Sequence, residues 1–336
     1  MHDRLLEFLL AIPGLREIRL VAAIRDPGLS FPSAADLRVF IPDMHLSSAA
    51  VAARFSYGFN CEPLFIKVCG ALTAMRARRQ PGETIEVYHI GDYLDLWRES
   101  SAPATDERVA LDIKADHADL VDALESDALG AHFLLGNHDF DLWQWHDYEA
   151  WDRRYYLPSD DDPAILVMHG DYFDWLENVP EFAKDIAVNF FARFRKAPPD
   201  VLGKMMDQCH VLNGQCDYSR SLRLDAPAAL GQLRDVHSAV PDRYNVTTHD
   251  FLAAAAAECR KVNQQLETNM RVVVIGHTHQ ARIATTTDPD GNLFTLIDTG
   301  AWVESCCEVE GGPTMPNAQI AAISANEARI YQLVGE

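Results

Sequence analysis

Short β-rich runs alternate with segments of helical period from residue 37 to residue 275. Each run ends in glycine, aspartate, histidine or asparagine, and residues 63–79 and 108–126 carry apolar side chains at helical spacing between the first runs. The pattern predicts strands at 37–41, 84–89, 132–135, 165–168 and 271–275. The order strand, helix, strand, helix, strand is typical of an α/β fold, in which functional loops follow the strands.

After residue 280 the apolar positions alternate with polar ones, which is the period of half-buried strands. This pattern predicts strands at 282–286, 293–298, 319–324 and 328–333. Turn signals separate them at Asp288-Pro-Asp-Gly291 and Asn326-Glu327. We therefore expect an antiparallel meander in the C-terminal part.

Residues 172–270 interrupt the strand pattern with several helical stretches and proline-containing loops. We interpret this segment as an inserted helical cap. The predicted organisation is an N-terminal extension at 1–36, a core formed by 37–171 and 271–336, and the cap at 172–270.

Composition narrows the class of protein. The chain has 336 residues, of which 48% are hydrophobic and 24% are charged, so an intrinsically disordered chain is excluded. Its formal charge of -21 argues against non-specific nucleic-acid binding, which requires a phosphate-neutralising surface. The cap carries 13 acidic and 11 basic residues against 37 and 18 in the rest of the chain. Its cations either lie on solvated helix faces or meet an anionic substrate; they include Arg193, Arg195, Lys196, Arg220 and Arg223.

The cellular location is predicted from apolar runs and cysteines. No run of about 18 apolar residues is present, and the apolar start is interrupted by Glu7 and Pro13. The seven cysteines form no CxxC pair, so we expect reduced thiols and no thiolate zinc site. The expectation is a soluble cytoplasmic protein without a signal peptide.

Carboxylates, imidazoles and one amide follow the predicted strands. The motifs are Asp43-Met-His45, Gly91-Asp92-Tyr-Leu-Asp95, Gly136-Asn137-His138-Asp139, His169-Gly-Asp171 and Gly276-His277-Thr-His279. Mixed oxygen and nitrogen ligands without thiolate suit Mn²⁺, iron or Zn²⁺, and enough ligands are present for two ions. Five different motifs in order, each at a strand end, indicate a metal site.

In these motifs the chain resembles the calcineurin-like metallophosphoesterase superfamily, whose order of DxH, GDxxD, GNHD, HG and GHTH it matches from Asp43 to His279. The resemblance implies a two-sheet α/β/β/α sandwich with a dinuclear centre at the strand ends. The first metal would be held by Asp43, His45, Asp92 and His279. The second would be held by Asp92, Asn137, His169 and His277, with Asp92 bridging both.

The expected activity is hydrolysis of a phosphoester or pyrophosphate bond. Two divalent ions, Mn²⁺ first with iron or Zn²⁺ as alternatives, would lower the pKa of a shared water, and the bridging hydroxide would attack phosphorus in line. His138 would donate a hydrogen bond or proton to the phosphoryl or leaving-group oxygen, and Asp139 would orient it. Asp95 and Asp171 are either carboxylates that support ligands or simple turn caps.

The substrate depends on the cap and is left open, beyond a small phosphorylated compound. The chain is similar to the UDP-2,3-diacylglucosamine pyrophosphohydrolase group in the segment from Gly91 to Trp97, in HGD and in its inserted helices, whereas that group has arginine in place of His138. A nucleotide-linked lipid would need an acyl groove, for which the helical stripe Phe182, Ile186, Phe190 and Phe194 is a candidate, with core packing as the other reading. Aromatic residues near two motifs either contact a base, sugar or acyl group of the substrate or pack in the core. They are Trp97, Trp143, Trp145, Trp151, Tyr155 and Tyr156.

Other functions also remain open. They are a protein or small-molecule phosphatase, a nuclease with a local basic groove in the cap, and a non-catalytic metal-binding scaffold. Peripheral membrane contact through the cap is open as well, and the sequence does not predict an oligomeric state.

Overall fold

The structure is a computed structural model in which 1–26, 29, 36–52, 59, 61–96, 107–136, 138–139, 142, 148, 151–159, 163–171, 248–279, 281–287, 291, 293–303 and 318–335 are the described residues. Within them the chain forms six helices and eleven strands, and the predicted α/β class is confirmed. The helices are α1 His2–Leu10, α2 Ala49–Ala52, α3 Glu62–Ala77, α4 Glu107–Asp116, α5 Ala118–Leu124 and α6 Thr248–Leu266. The strands are β1 Leu15–Arg25, β2 Leu37–Ile41, β3 Ile85–Ile90, β4 Ala131–Leu134, β5 Arg154–Leu157, β6 Ile165–Met168, β7 Val272–Ile275, β8 Arg282–Thr287, β9 Leu293–Asp298, β10 Gln319–Ser324 and β11 Glu327–Gly335.

The strands form two mixed sheets. The first has the order β1-β11-β10-β2-β3-β4, and its members β2, β3 and β4 run parallel. The second has the order β5-β6-β7-β9-β8, and its members β6, β7 and β9 run parallel. The carboxyl ends of neighbouring parallel strands lie at one edge of each sheet, which is where α/β proteins commonly carry their sites.

Most of the core among the described residues belongs to three hydrophobic clusters, and a fourth contains only Ala301 and Val303. The first joins helix residues such as Phe65 and Leu72 to Val39 and Val87 of the first sheet. The second contains residues of both sheets, among them Phe40, Ile90, Val167 and Val274. The third joins Leu252 and Cys259 of α6 to Val273 and Leu296 of the second sheet. Because residues on both sides of β2 and β7 enter a cluster, these strands are apolar almost throughout rather than alternating.

Two parts of the fold differ from the sequence prediction. Residues 1–25, predicted as part of an extension, supply α1 and the edge strand β1 of the first sheet, which pairs antiparallel with β11. The predicted meander divides into a β8–β9 hairpin in the second sheet and a β10–β11 hairpin in the first. Alternation predicts that strands are half-buried, but it does not determine which hairpin joins which sheet.

Only the last helix of the predicted cap can be located, because 172–247 lie outside the described residues. That helix is α6, and it packs on the second sheet through the third cluster. Among the described helices, none combines the length and the apolar character that a membrane crossing requires.

Candidate metal centre

The predicted ligands follow the parallel strands of both sheets. Asp43 and Asp92 lie two residues after β2 and β3 of the first sheet, while His169 and His277 follow β6 and β7 of the second. The amide of Gly276 donates to the carbonyl oxygen of His169 at 2.9 Å, which ties two of these loops together. The strand ends therefore bring motifs that are far apart in sequence to one place.

Three groups of metal-ligating side chains form there, each with its ligand atoms within 4.8 Å of one another. They are Asp43 with His45 and His279; Asp92 with His169 and His277; and His45 with Asp95 and His138. The first two groups contain six of the seven predicted ligands. The seventh, Asn137, lies outside the described residues.

The backbone is strained at these ligands. Four of the six described non-glycine residues with positive φ are predicted ligands: His45 at 51°, Asp92 at 51°, His277 at 68° and His279 at 57°. Left-handed backbone costs a residue with a Cβ about 1 kcal/mol or more, and such strain concentrates at functional sites. The strain therefore marks the cluster independently of its side-chain chemistry.

Glycines permit the close approach of these loops. A Cβ added to Gly136 would lie 2.1 Å from Oδ1 of Asp92, and one added to Gly276 would lie 2.2 Å from Oδ1 of Asp43. Gly91 has φ 100°, and its Cβ would lie 2.4 Å from Nδ1 of His169. The space a side chain would need is filled by the carboxylates and imidazole of the cluster.

Asp43 joins the loop after β2 to the loop after β7. Its Oδ2 accepts from the backbone amide of His277 at 2.8 Å and lies 3.1 Å from Nε2 of His279. Burial raises the pKa of Asp43, but the charge of His169 and the hydrogen bond from His279 outweigh burial and hold it below its usual range. Asp43 is therefore a carboxylate held in the interior by histidines.

Asp92 and His169 face each other across the two sheets. Nδ1 of His169 donates to the carbonyl oxygen of Ile90 at 2.9 Å, which directs Nε2 toward Oδ2 of Asp92, 3.2 Å away. Burial lowers the pKa of His169, but Asp92 and Asp43 raise it well above its usual value. Burial likewise raises the pKa of Asp92, yet three histidines hold it well below the usual range. The two buried carboxylates thus favour the protonated form of His169, and a positive charge on that ring favours both carboxylates in turn.

The donor set fits divalent cations. Asp43 and Asp92 are fully buried, and no donor of the described residues forms a hydrogen bond with Oδ1 of Asp43 or Oδ2 of Asp92, although histidine nitrogens lie near both. Buried carboxylate oxygens require hydrogen bonds or a cation. Oxygen and imidazole ligands without thiolate suit Mn²⁺, iron and Zn²⁺.

One carboxylate supports two imidazoles at this site. Oδ1 of Asp95 lies 2.9 Å from Nδ1 of His138, and its Oδ2 lies 3.4 Å from Nδ1 of His45; all three side chains are fully buried. The Nε2 atom of His45 is 3.0 Å from that of His279. Burial, then the charge of His138, lowers the pKa of His45 to about 4, so its ring is neutral, as a metal ligand must be.

Nδ1 of His138 lies within hydrogen-bond distance of Asp95, whereas Asp139, predicted to orient His138, accepts backbone amides. Oδ1 of Asp139 accepts from the amide of Gly136, and Oδ2 accepts from the amide of Tyr93, both at 2.7 Å. Burial, followed by the charge of Asp92, raises the pKa of Asp139 to about 7. Asp139 therefore fastens the loop after β4 to the loop after β3. The backbone amide of His138 donates to Oδ1 of Asp92 at 2.9 Å, so the same loop also holds the predicted bridging ligand.

Asp171 and several aromatic residues have other partners. Asp171 accepts from Arg153 at 2.8 Å. Trp151 stacks on Phe133 with ring centroids 4.5 Å apart, and the hydroxyl of Tyr155 donates to the carbonyl oxygen of Phe133 at 3.1 Å. Predicted residues outside the described residues are Trp97, Trp143, Trp145, Phe182, Ile186, Phe190, Phe194, Arg193, Arg195, Lys196, Arg220 and Arg223.

Thr278 and Asp298, which no sequence motif assigned to a role, make contacts beside the candidate ligands. The Thr278 hydroxyl donates to Oδ2 of Asp298 at 2.5 Å, and Nε of Arg282 lies 3.2 Å from the same oxygen. Burial raises the pKa of Asp298 to about 7, and Arg282 and Thr278 oppose that rise. One sequence signal for Asp298 was available: it is an aspartate at the end of a predicted strand, as the predicted ligands also lie at strand ends.

Comparisons with known proteins add little. No protein-family model matches the chain, and no curated protein matches it. Among solved structures, the chain is similar to a Thermotoga maritima protein determined by solution NMR, with 12% sequence identity and a TM-score of 0.31. The match covers 90% of this chain and 99% of the other. A likeness of this size carries no argument on fold or function.

Proposed function

We propose that this protein is a dinuclear metal-dependent hydrolase of phosphoester or pyrophosphate bonds, related to the calcineurin-like metallophosphoesterases. The observation that carries the proposal is the convergence of six predicted ligands from four loops, four of them on strained backbone: Asp43, His45, Asp92, His169, His277 and His279. Because strain at a functional site persists only where the surrounding structure maintains it, the cluster is better explained by function than by packing.

The arrangement of the core supports the proposed α/β/β/α sandwich. The cluster shared by both sheets forms a middle layer, and α3 and α6 contribute to the clusters on the outer faces. The further proposal of a helical cap that selects the substrate concerns mainly 172–247, outside the described residues.

The metal centre that we propose would use the ligands already named. Asp43, His45, Asp92 and His279 would hold one ion, and Asp92, Asn137, His169 and His277 the other. When bound, two such ions, with Mn²⁺ the first choice and iron or Zn²⁺ the alternatives, lower the pKa of a shared water and neutralise phosphoryl oxygens. Because Asp92 and Asp43 raise the pKa of His169, an ion bound there would compete with a proton on this ring.

His138 would act on the substrate itself. Because its Nδ1 bonds Asp95 and its backbone amide bonds Asp92, the ring is fixed beside the proposed ligands. Asp95 stabilises the protonated imidazole. We propose that the ring donates its proton to the leaving-group oxygen as the bond between phosphorus and that oxygen breaks. Asp95 then keeps the ring in orientation for the next turnover.

Hydrolysis assays test the proposed activity. Metal-stripped protein resupplied with Mn²⁺ is assayed on p-nitrophenyl phosphate and bis-(p-nitrophenyl) phosphate, with His138→Ala as the comparison. We expect activity that requires Mn²⁺ and falls by a factor of about 10² or more in His138→Ala. Bound metal together with no hydrolysis of these compounds or of a nucleotide-linked diphosphate would instead support a non-catalytic metal-binding scaffold.

Asp92→Asn tests the bridging position. Two dications at the short separation of a dinuclear centre repel each other, so a neutral amide in place of the shared carboxylate should cost one metal. We expect metal analysis of the purified variant to give one ion fewer per chain, with hydrolysis lost. Retention of both ions and of activity would show that Asp92 is not the bridge.

A further inference from the structure

The loop after β7 is held in a costly conformation. His277 and His279 both have left-handed backbone, and Thr278 lies between them with its amide bonded to the carbonyl oxygen of Gly276 at 2.8 Å. Left-handed backbone carries a steric cost at both histidines, because each has a Cβ. A contact outside the loop must therefore maintain it.

Asp298 provides such a contact. This carboxylate ends β9, is fully buried, and accepts the Thr278 hydroxyl at 2.5 Å. Its own position is fixed on both sides, since Asp298 is the register partner of Ile275 in β7 and of Arg282 in β8, and Nε of Arg282 lies 3.2 Å from Oδ2. No donor of the described residues forms a hydrogen bond with its Oδ1. A carboxylate so deeply buried is costly unless its contacts determine a conformation that matters.

The next residues extend the same support. The amide and hydroxyl of Thr299 both donate to the carbonyl oxygen of Ile275 at 2.9 Å, and the amide of Trp302 donates to the carbonyl oxygen of Asp43 at 2.8 Å. The segment that begins at Asp298 thus touches the backbone before His277 and the backbone of Asp43, while supplying none of the predicted ligands.

We propose that Asp298 is a positioning residue of the metal centre, which fixes the strained loop at His277 and His279 through the Thr278 hydroxyl. The metal part of this inference rests on the proposed function, whereas the loop conformation does not. With the bond in place, both imidazoles are presented together with Asp43 and Asp92 before any ion binds. Without it, the loop relaxes toward ordinary backbone angles and the ligands must be reassembled on binding.

The test removes the Thr278 hydroxyl and compares the effect with that of removing a matched hydroxyl elsewhere in the protein. Thr278→Val deletes the donor with little change in shape, and Thr278→Ser keeps it. Thr295→Val is the control, because the Thr295 hydroxyl donates to buried Asp26 from the same strand β9. Asp298→Ala and its combination with Thr278→Val form a double-mutant cycle, and Thr278→Val alone decides the matter if Asp298→Ala does not fold.

Two readouts separate positioning from general stability. Amide exchange of the peptide covering 276–279 is followed by mass spectrometry in the metal-free protein, where the His277 amide is bonded to Asp43 at 2.8 Å. Mn²⁺ affinity is measured by calorimetry, with the Co²⁺ absorption spectrum reporting coordination. We expect Thr278→Val to speed loop exchange and weaken Mn²⁺ binding by about 10-fold each. Thr278→Ser and Thr295→Val should leave both readouts within about 2-fold, and the double variant should be no worse than Asp298→Ala.

The outcomes distinguish the two proposals. Unchanged loop exchange and Mn²⁺ affinity in Thr278→Val, or equal losses in Thr295→Val, would overturn the positioning role while leaving the metal centre intact. A wild-type protein that binds no metal but shows the expected exchange pattern would support Asp298 as the residue that fixes the loop, and would remove the metal centre instead.

Discussion

At the scale of single residues, Asp95 has the most unusual position. Its two oxygens face the Nδ1 atoms of His45 and His138, so it supports one imidazole proposed to bind metal and another proposed to act on the substrate. An uncharged amide cannot accept from both rings, because one of its two ends is itself a donor.

Asp95→Asn should therefore impair turnover more than substrate binding. We expect kcat to fall by a factor of about 10² and KM to change little, because the misoriented His138 would no longer serve as proton donor. Steady-state kinetics on the better p-nitrophenyl substrate provide the measurement, and exposed Asp112→Asn is the control. A fall confined to KM would count against the role given to His138.

The burial of His89 leads to a prediction about how the free energy of unfolding depends on pH. Its ring is fully buried beside Tyr93 and Phe133, and neither nitrogen has a hydrogen-bond partner among the described residues. Burial lowers the pKa of His89 to about 3. Below pH ~6.5 the unfolded chain therefore takes up a proton that the folded chain refuses, so the free energy of unfolding falls as the pH drops from ~6.5 toward ~3.

His89→Phe should remove that loss. Between pH 7 and pH 5 the metal-free wild type is expected to lose about 2 kcal/mol more stability than the variant, since 1.4 kcal/mol corresponds to each pH unit below the unfolded pKa. Urea unfolding at both pH values gives the difference. Parallel losses in the two proteins would mean that His89 is protonated, or equally neutral, in both states.

The members of the candidate metal cluster were predictable because each sits in a contiguous motif after an apolar run. The supporting contacts were not, because Asp95 and His138 are 43 residues apart in sequence. Adjacency in sequence favoured Asp139 instead, and the fold uses that carboxylate to accept backbone amides. Asp298 had a sequence signal similar to that of the predicted ligands, an aspartate at the end of a strand, but only the fold shows that it contacts Thr278.

At the scale of elements, every described strand except β1 and β5 was predicted, with bounds that agree within one or two residues. β2 and β6 match the predicted bounds because their apolar runs are continuous. β1 was missed, since most of its residues are at least partly exposed and no alternation marks it. β5, at a sheet edge, was missed because three of its four residues are only partly buried and no continuous apolar run marks it.

Two glycine-to-alanine substitutions compare the effect of an added Cβ in a loop of the candidate metal centre with its effect in a helix. In Gly276→Ala the new Cβ would meet Oδ1 of Asp43 at 2.2 Å, so the carboxylate must shift, and we expect Mn²⁺ affinity to fall by about 10-fold or more. In Gly70→Ala, within α3, the Cβ has no neighbour within 4 Å, so the helix should gain about 1 kcal/mol. Calorimetry and urea unfolding of both variants test this. Unchanged affinity in Gly276→Ala would show that Asp43 is not held as tightly as the contact implies.

At the scale of the whole molecule, the chain is acidic and also holds several carboxylates in its interior. The formal charge is -21, and Asp43, Asp92 and Asp95 are fully buried within one cluster. Cations that bind the folded chain and not the unfolded one add to its stability by mass action. Metal content and stability are therefore expected to change together.

Removal of metal with a chelator should lower the midpoint of thermal unfolding, and added Mn²⁺ should restore it. At a free concentration of 100 times Kd the gain is about 2.7 kcal/mol for one site. Asp92→Asn should show a smaller shift, because it is expected to keep one ion fewer. Identical midpoints in chelator and in excess Mn²⁺ would argue against metal binding by the folded protein.

The order of strands and helices was enough to predict an α/β protein, but not the division of the chain between two sheets. Residues 1–25 and α6, which the sequence analysis placed outside the core, each cover or extend a sheet. Their contribution depends on contacts between segments far apart in sequence, such as Leu15 with Gly335, and no local pattern contains such information.

The left-handed backbone at four proposed ligands opposes the amount of folded protein to the proposed activity. Glycine adopts φ near 51–68° without the penalty paid by His45, Asp92, His277 and His279. A mutational scan scored by the amount of folded metal-free protein should therefore rank glycine above most residues at these positions, although a scan scored by hydrolysis should reject it. In populations no longer selected for activity, these four residues should be the first to be replaced. Their replacement would leave a chain that folds better than its functional ancestor.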